Sequence, residues 1–180
     1  PLLAESLTLQ KTKYENNSPQ VLGAMAKVAQ AHRHLGDWEA ALPILEGILK
    51  IRRDSLGAEH TETQVSLVEL ADGYRAAGQF DAALPLFEQR LEYLRAELGP
   101  NHTRTRAEMT RLAFVLIEAK DMARASAMLK EITAAARKDS FAGKRGYSDL
   151  LLIMSAELLP LAAYEPAEPM LRECLQIRER

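Results

Sequence analysis

Gly36-Asp37-Trp38-Glu39-Ala40-Ala41-Leu42-Pro43-Ile44-Leu45-Glu46 returns 42 residues later as Gly78-Gln79-Phe80-Asp81-Ala82-Ala83-Leu84-Pro85-Leu86-Phe87-Glu88. A further step of 42 reaches a weaker copy, Lys120-Asp121-Met122-Ala123-Arg124-Ala125, and the next reaches Ala162-Ala163-Tyr164-Glu165-Pro166-Ala167-Glu168-Pro169-Met170-Leu171. Backwards, Pro43 maps onto Pro1. A second block keeps the same phase: Leu56-Gly57-Ala58-Glu59-His60-Thr61-Glu62-Thr63 against Leu98-Gly99-Pro100-Asn101-His102-Thr103-Arg104-Thr105. Two independent blocks in one register mark a stacked repeat protein.

Each period reads as two helices. Leu67, Leu70, Ala71 and Tyr74 fall at i, i+3, i+4 and i+7, one face of a helix. After Gly78 a second such pattern runs through Phe80, Ala83, Leu84, Phe87, Leu91 and Leu94 and stops at Leu98-Gly99-Pro100. A Gly past the last turn takes the left-handed conformation and a following Pro blocks continuation. Ser18-Pro19 provides an N-cap with Pro in the first helical position, and Thr61-x-x-Gln64 has the spacing of a capping box. The expected pairs are 19–55, 61–97, 103–138 and 147–180, preceded by a lone second helix at 1–14. Pro43, Pro85 and Pro169 lie inside second helices, so a bend or a late start is expected there. The fourth copy is degenerate: Ser140–Gly146 replaces the compact connector, and Pro160 ends its first helix early.

Composition agrees. Leu and Ala each occur 28 times, and Val and Ile together 12 times, which favours helix over strand. The chain is therefore expected to be all-α. A formal net charge of -2 speaks against a dedicated nucleic-acid or anionic-membrane binder. The single cysteine, Cys174, excludes an internal disulfide and a multi-cysteine metal site. No apolar run approaches the roughly 18 residues of a membrane span. A cytoplasmic protein without cofactor or metal is expected.

The register resembles the tetratricopeptide repeat (TPR) in its 42-residue, kinesin-light-chain-like form. Matching positions in the second copy are Leu67, Leu70, Ala71, Tyr74, Gly78, Phe80, Ala83 and Phe87. In the first they are Met25, Val28, Ala29, His32, Gly36, Trp38, Ala41 and Leu45. The resemblance covers essentially the whole chain. It implies a right-handed superhelical solenoid of antiparallel helix pairs, a non-catalytic scaffold for protein–protein interaction, and kinship with bacterial signalling proteins.

No nucleophile elbow, Walker loop, dinucleotide fingerprint or His-Glu-x-x-His sequence is present. His32 and His34 sit two residues apart, about 200° around a helix, so they cannot share one ion without help from other groups; His32 occupies the packing position of Tyr74. His60 and His102 recur in equivalent connectors and read as inter-repeat joints. Cys174 reads as an inert core residue. Lys144-Arg145 reads as a solvated loop.

The first helix of each pair lines the inner surface of such a stack. Projection places Ala26, Lys27, Gln30, Arg33 and His34 there in the first copy, and Val68, Glu69, Asp72 and Arg75 in the second. The third contributes Thr110, Arg111, Phe114 and Ile117, and the fourth Leu152, Ile153, Ala156 and Leu159. The expected site residues are Lys27, Gln30, Arg33, His34, Glu69, Asp72, Arg75, Arg111, Phe114 and Ile117. Phe114 and Ile117 would anchor a peptide or partner helix, and the cations would orient an acidic or carboxylate-terminated segment. Two alternatives stand beside this reading. The chain is a regulatory or spacer segment of a larger multidomain enzyme, such as a bacterial serine/threonine kinase, or a self-assembly module that associates through uncapped ends. Both rest on its reading as an excerpt of a longer protein.

Overall fold

The computed structural model describes residues 5, 8–9, 12–15, 17–138, 143–160 and 162–178. Helices α1 (Pro19–His34), α2 (Trp38–Leu56), α3 (Thr61–Ala76), α4 (Phe80–Leu98), α5 (Thr103–Glu118), α6 (Met122–Lys138), α7 (Gly143–Leu158) and α8 (Tyr164–Arg178) follow in order. No strand occurs among the described residues. The helix expected at 1–14 falls largely outside them; Glu5, Thr8, Leu9, Thr12 and Lys13, which are described, are helical.

Polar caps set the helix starts. Ser18 Oγ accepts from Val21 N at 3.3 Å, with Pro19 in the first turn. Asp37 Oδ1 accepts from Ala40 N at 3.2 Å, and Asp121 Oδ1 from Arg124 N at 3.1 Å. The capping box expected on Thr61 is replaced by a histidine cap. His60 Nδ1 accepts from Glu62 N at 3.2 Å, and its repeat-mate His102 Nδ1 accepts from Arg104 N at 3.1 Å. An unprotonated ring nitrogen does here what a hydroxyl oxygen does in the usual cap. Gln64 turns away, donating to Ala58 O and accepting from Arg90 Nη1.

First helices end in one turn, four times over. Gly36 N donates to Arg33 O and Asp37 N to His32 O; the same two bonds recur 42, 84 and 126 residues on. The turn needs a positive φ, supplied by Gly36 (72°), Gly78 (73°), Lys120 (67°) and Ala162 (55°). The last two carry a Cβ in a conformation that only glycine adopts freely.

Small residues mark the helix crossings. Ala29, Ala71, Ala113 and Ser155 recur every 42 residues on first helices, and Ala41, Ala83, Ala125 and Ala167 on second helices; all eight are buried. Pro43, Pro85 and Pro169 lie within α2, α4 and α8 on exposed positions. The helices begin before them, so a late start is not the solution adopted.

The chain divides into two compact units, Pro1–Tyr93 and Leu94–Arg180. In the first, α1 packs on α2 and α2 on α3. One cluster joins Ala29, Leu42, Leu45, Leu49, Leu67 and Leu70, with Trp38 and Tyr74 at its edge; another joins Val21, Leu22, Met25 and Ile48. Each such large side chain contributes about 1.5–3 kcal/mol. In the second unit α5 packs on α6, and α7 on α8 and against α6.

Two local expectations are corrected in the second unit. The fourth pair begins at Gly143, four residues before the expected position, and Lys144 and Arg145 are helical, not loop. Gly143 and Gly146 weaken the helix by about 1 kcal/mol each, and the packing of α7 on α8 overrides that local preference. Cys174 is buried, its Sγ 3.4 Å from Ser148 O.

Candidate functional site

The last two turns of α1 have two distinct faces. Met25, Val28 and Ala29 point into the core, while Ala26, Lys27, Gln30 and His34 are exposed and Arg33 is half-buried. The exposed set follows i, i+1, i+4, i+7 and i+8, a stripe along one side. Glu69 on α3 stands across from it, and Trp38, the first residue of α2, closes the base. Together with Gly23 and Leu45 these residues line a cleft of about 540 Å³. Five of the ten residues expected from sequence thus come together: Lys27, Gln30, Arg33, His34 and Glu69.

The cleft presents the donors of Lys27, Gln30, Arg33 and His34 and one carboxylate, Glu69. None of these five side chains has a hydrogen bond or ion pair within the described chain. His32, one turn away, is engaged: its Nδ1 lies 2.8 Å from Asp37 Oδ2. That bond, with the Ala40 amide, holds the Asp37 carboxyl below the usual carboxylate range. His32 is therefore fixed to the turn while His34 stays open. Among the described residues no cluster of three or more His, Cys, Asp or Glu is placed to hold a metal ion. No helix among them is long and apolar enough to cross a membrane.

The remaining expected residues lie elsewhere. Asp72 and Arg75 are half-buried on α3, and Arg111 on α5; all three already hold partners within the chain. Phe114 is half-buried. Ile117 does not line an open groove: it is 2 % exposed. The helix-face projection failed there because Val115, Leu116 and Ile117 are buried in succession. α5 is thus enclosed around more of its circumference than α1. An isoleucine at that position gains from leaving water, where the equivalent Arg33 and Arg75 would not.

Sequence reasoning missed Trp38 as a lining residue, having read it as packing alone. The available signal was its place directly after the Gly36 turn, which returns the chain to the end of α1. It also missed a hollow of about 290 Å³ in the second unit, between α6 and α8, lined by Lys130, Thr133, Glu165 and Pro169 among others.

Two family models, both described as tetratricopeptide repeat, match residues 20–96 and 74–145. The chain is a tetratricopeptide-repeat protein. A Podosopora anserina chain of nearly identical TPR-like repeats, described as of kinesin-light-chain type, superposes with a TM-score of 0.78 at 22 % identity, over 98 % of this chain and 84 % of that one. BtubC (BKLC) from P. vanneervenii superposes with a TM-score of 0.66 at 18 % identity, over 99 % of this chain and 71 % of that one. At these identities the likeness establishes the all-α superhelical repeat fold and nothing of the ligand. No curated protein matches the sequence. TPR repeats in general mediate protein–protein interaction.

Proposed function

We propose that this TPR chain is a non-catalytic interaction scaffold of the cytoplasm that holds an acidic or carboxylate-terminated peptide segment against α1. The helix pairs at 19–55, 61–97, 103–138 and 147–180 act in this reading as one array. The observation that carries it is the cleft between α1 and α3, where Lys27, Gln30, Arg33 and His34 present donors that no group of the described chain uses. Glu69 on the opposite wall repels an all-anionic ligand on that side and so sets orientation more than affinity. Trp38 offers an apolar base. Asp72, Arg75 and Arg111 support the neighbouring helices in this account and do not grip the ligand.

Trp38 is the single tryptophan, so its fluorescence reports cleft occupancy directly. Titration with Asp/Glu-rich peptides, free and amidated at the C-terminus, is expected to give a saturable change that weakens with salt. Lys27→Glu with Arg33→Glu is expected to abolish it at unchanged helicity. A response indifferent to that charge reversal would refute the reading. No response to any peptide would favour the spacer role within a larger enzyme.

A further inference from the structure

Arg52-Arg53-Asp54-Ser55-Leu56 closes α2. Two guanidinium groups stand three and two residues before a serine, and an aliphatic side chain follows it. Arginine-directed serine kinases select their substrates by this placement of charge. Arg53, Ser55 and Leu56 are exposed in the last turn, and Gly57, at a φ of 89°, ends the helix. The Ser55 hydroxyl donates to Ile51 O of its own helix at 2.7 Å.

The repeat sets this serine apart. The same position is Glu97 42 residues on and Asp139 84 residues on. α4 closes normally with Glu97 exposed there, so the fold accepts a negative charge at this point. The arginines differ as well. Arg95 and Arg137 face the carboxylates of Glu131 and Glu173, whereas Arg53 reaches only the neutral Gln89. Arg52 stands where the later copies have Leu94 and Ala136. Its Nη1 donates across to α3, to Ser66 Oγ at 2.6 Å and to Glu62 O at 3.3 Å. Of the second-helix ends at 52–55, 94–97 and 136–139, only the first combines two arginines with a hydroxyl.

We propose that Ser55 is a phosphorylation site and that its modification draws Arg52 away from α3. In the transfer the Ser55 oxygen attacks the γ-phosphorus of ATP held by the kinase. The new O–P bond forms as the bond to the β-phosphate oxygen breaks; ADP leaves, and the hydroxyl proton passes to the kinase's catalytic base. The phosphate brings about 1.5 to 2 negative charges to a helix C-terminus, where the carbonyls already concentrate negative potential. Arg52, three residues back, shares that side of the helix. A phosphate is a stronger acceptor for its guanidinium than the neutral Ser66 hydroxyl. Recognition makes the same demand. A kinase that takes Arg52 must first have the last turn of α2 off α3, and helix ends open locally most readily. This site is separate from the cleft between α1 and α3 and stands or falls independently of it.

The test treats the full chain with a purified serine kinase selective for Arg-Arg-x-Ser, ATP and Mg²⁺, and locates phosphate by tandem mass spectrometry. Incorporation at Ser55 approaching one per chain is expected. It should be absent from Ser55→Ala and at least about tenfold slower in Arg52→Ala and in Arg53→Ala, each checked for unchanged helicity. The release of Arg52 is read by a cycle. Ser66→Ala should lower the melting temperature of the unmodified chain and lower that of the phosphorylated chain distinctly less, because the bond it removes is already gone. No incorporation, or incorporation at other residues only, would overturn the site. Equal shifts from Ser66→Ala in the two forms would overturn the release of Arg52.

Discussion

Arg137 Nη2 donates to both carboxylate oxygens of Glu173, at 2.6 and 2.8 Å, and so ties α6 to α8. The contact is one rung of a series. Arg95 Nη2 reaches Glu131 Oε1 at 3.1 Å, and Arg53 Nη2 reaches Gln89 Oε1 at 3.4 Å. Each arginine precedes its partner by 36 residues, and successive rungs are 42 apart. The second helices thus carry a repeated cross-brace in which only the first rung has a neutral acceptor.

Restoring the charge in that rung is expected to stabilise the first unit modestly. Gln89→Glu should add about 0.2–1 kcal/mol at low salt, the range of exposed ion pairs. The gain should shrink at high salt. Urea unfolding at two ionic strengths measures it, and a gain that does not change with salt would exclude an ion pair as its source.

The Tyr74 hydroxyl donates to the Glu46 carboxylate and joins α3 to α2. That bond, then burial, pushes the phenol up to about 12 from its ordinary 10.0. A raised pKa stabilises fully below the unfolded value, and the contribution is lost as pH rises through the folded one. The wild type should therefore lose stability relative to Tyr74→Phe between about pH 10 and 12 and hold a constant advantage of about 1 kcal/mol below it. Denaturant midpoints across that range decide it. A pH-independent difference would deny the coupling.

Lys120 and Ala162 adopt the positive φ that Gly36 and Gly78 supply in the first two repeats. Left-handed backbone costs a residue with a Cβ roughly 1–2 kcal/mol. Lys120→Gly is expected to stabilise the second unit by about 1 kcal/mol, after the greater unfolded-state entropy of glycine is subtracted. Gly36→Ala should destabilise by a similar amount through backbone alone, since an added Cβ meets nothing within 4 Å. Equal melting temperatures for Lys120→Gly and wild type would show that the turn carries no strain.

Gly73 and Gly23 separate packing from propensity. Both lie within helices, where alanine is favoured by about 1 kcal/mol. A Cβ on Gly23 meets nothing within 4 Å, whereas one on Gly73 crowds the buried Leu42 and Leu45. Gly23→Ala should stabilise by about 1 kcal/mol, and Gly73→Ala should lose that gain and about 1 kcal/mol more. Paired thermal melts test it, and a Gly73→Ala protein as stable as Gly23→Ala would mean that α2 yields to the methyl.

The periodicity of 42 determined the fold, because each repeat position repeats its environment. Glycine and small residues return where helices turn or cross, and leucine where they pack. Helix boundaries followed to within a residue over most of the chain, since Ser18, Asp37 and the Gly36-type turns act locally. The polar stripe of Lys27, Gln30, Arg33 and His34 was equally readable, because spacing along one helix fixes which side chains share a side.

What sequence could not decide depended on neighbours. His60 and not Thr61 caps α3, a choice made by the geometry of the connector. Gly73 lies inside α3, as the helical pattern places it, but only the packing shows that Leu42, Leu45 and Trp38 would crowd a side chain there. The braces from Arg53, Arg95 and Arg137 join residues 36 apart, beyond any local pattern. Ile117 and Leu159 occupy one repeat position, and a helical wheel treats them alike. The first is buried and the second exposed, because solvent exposure belongs to the packed assembly of helices and not to any one of them.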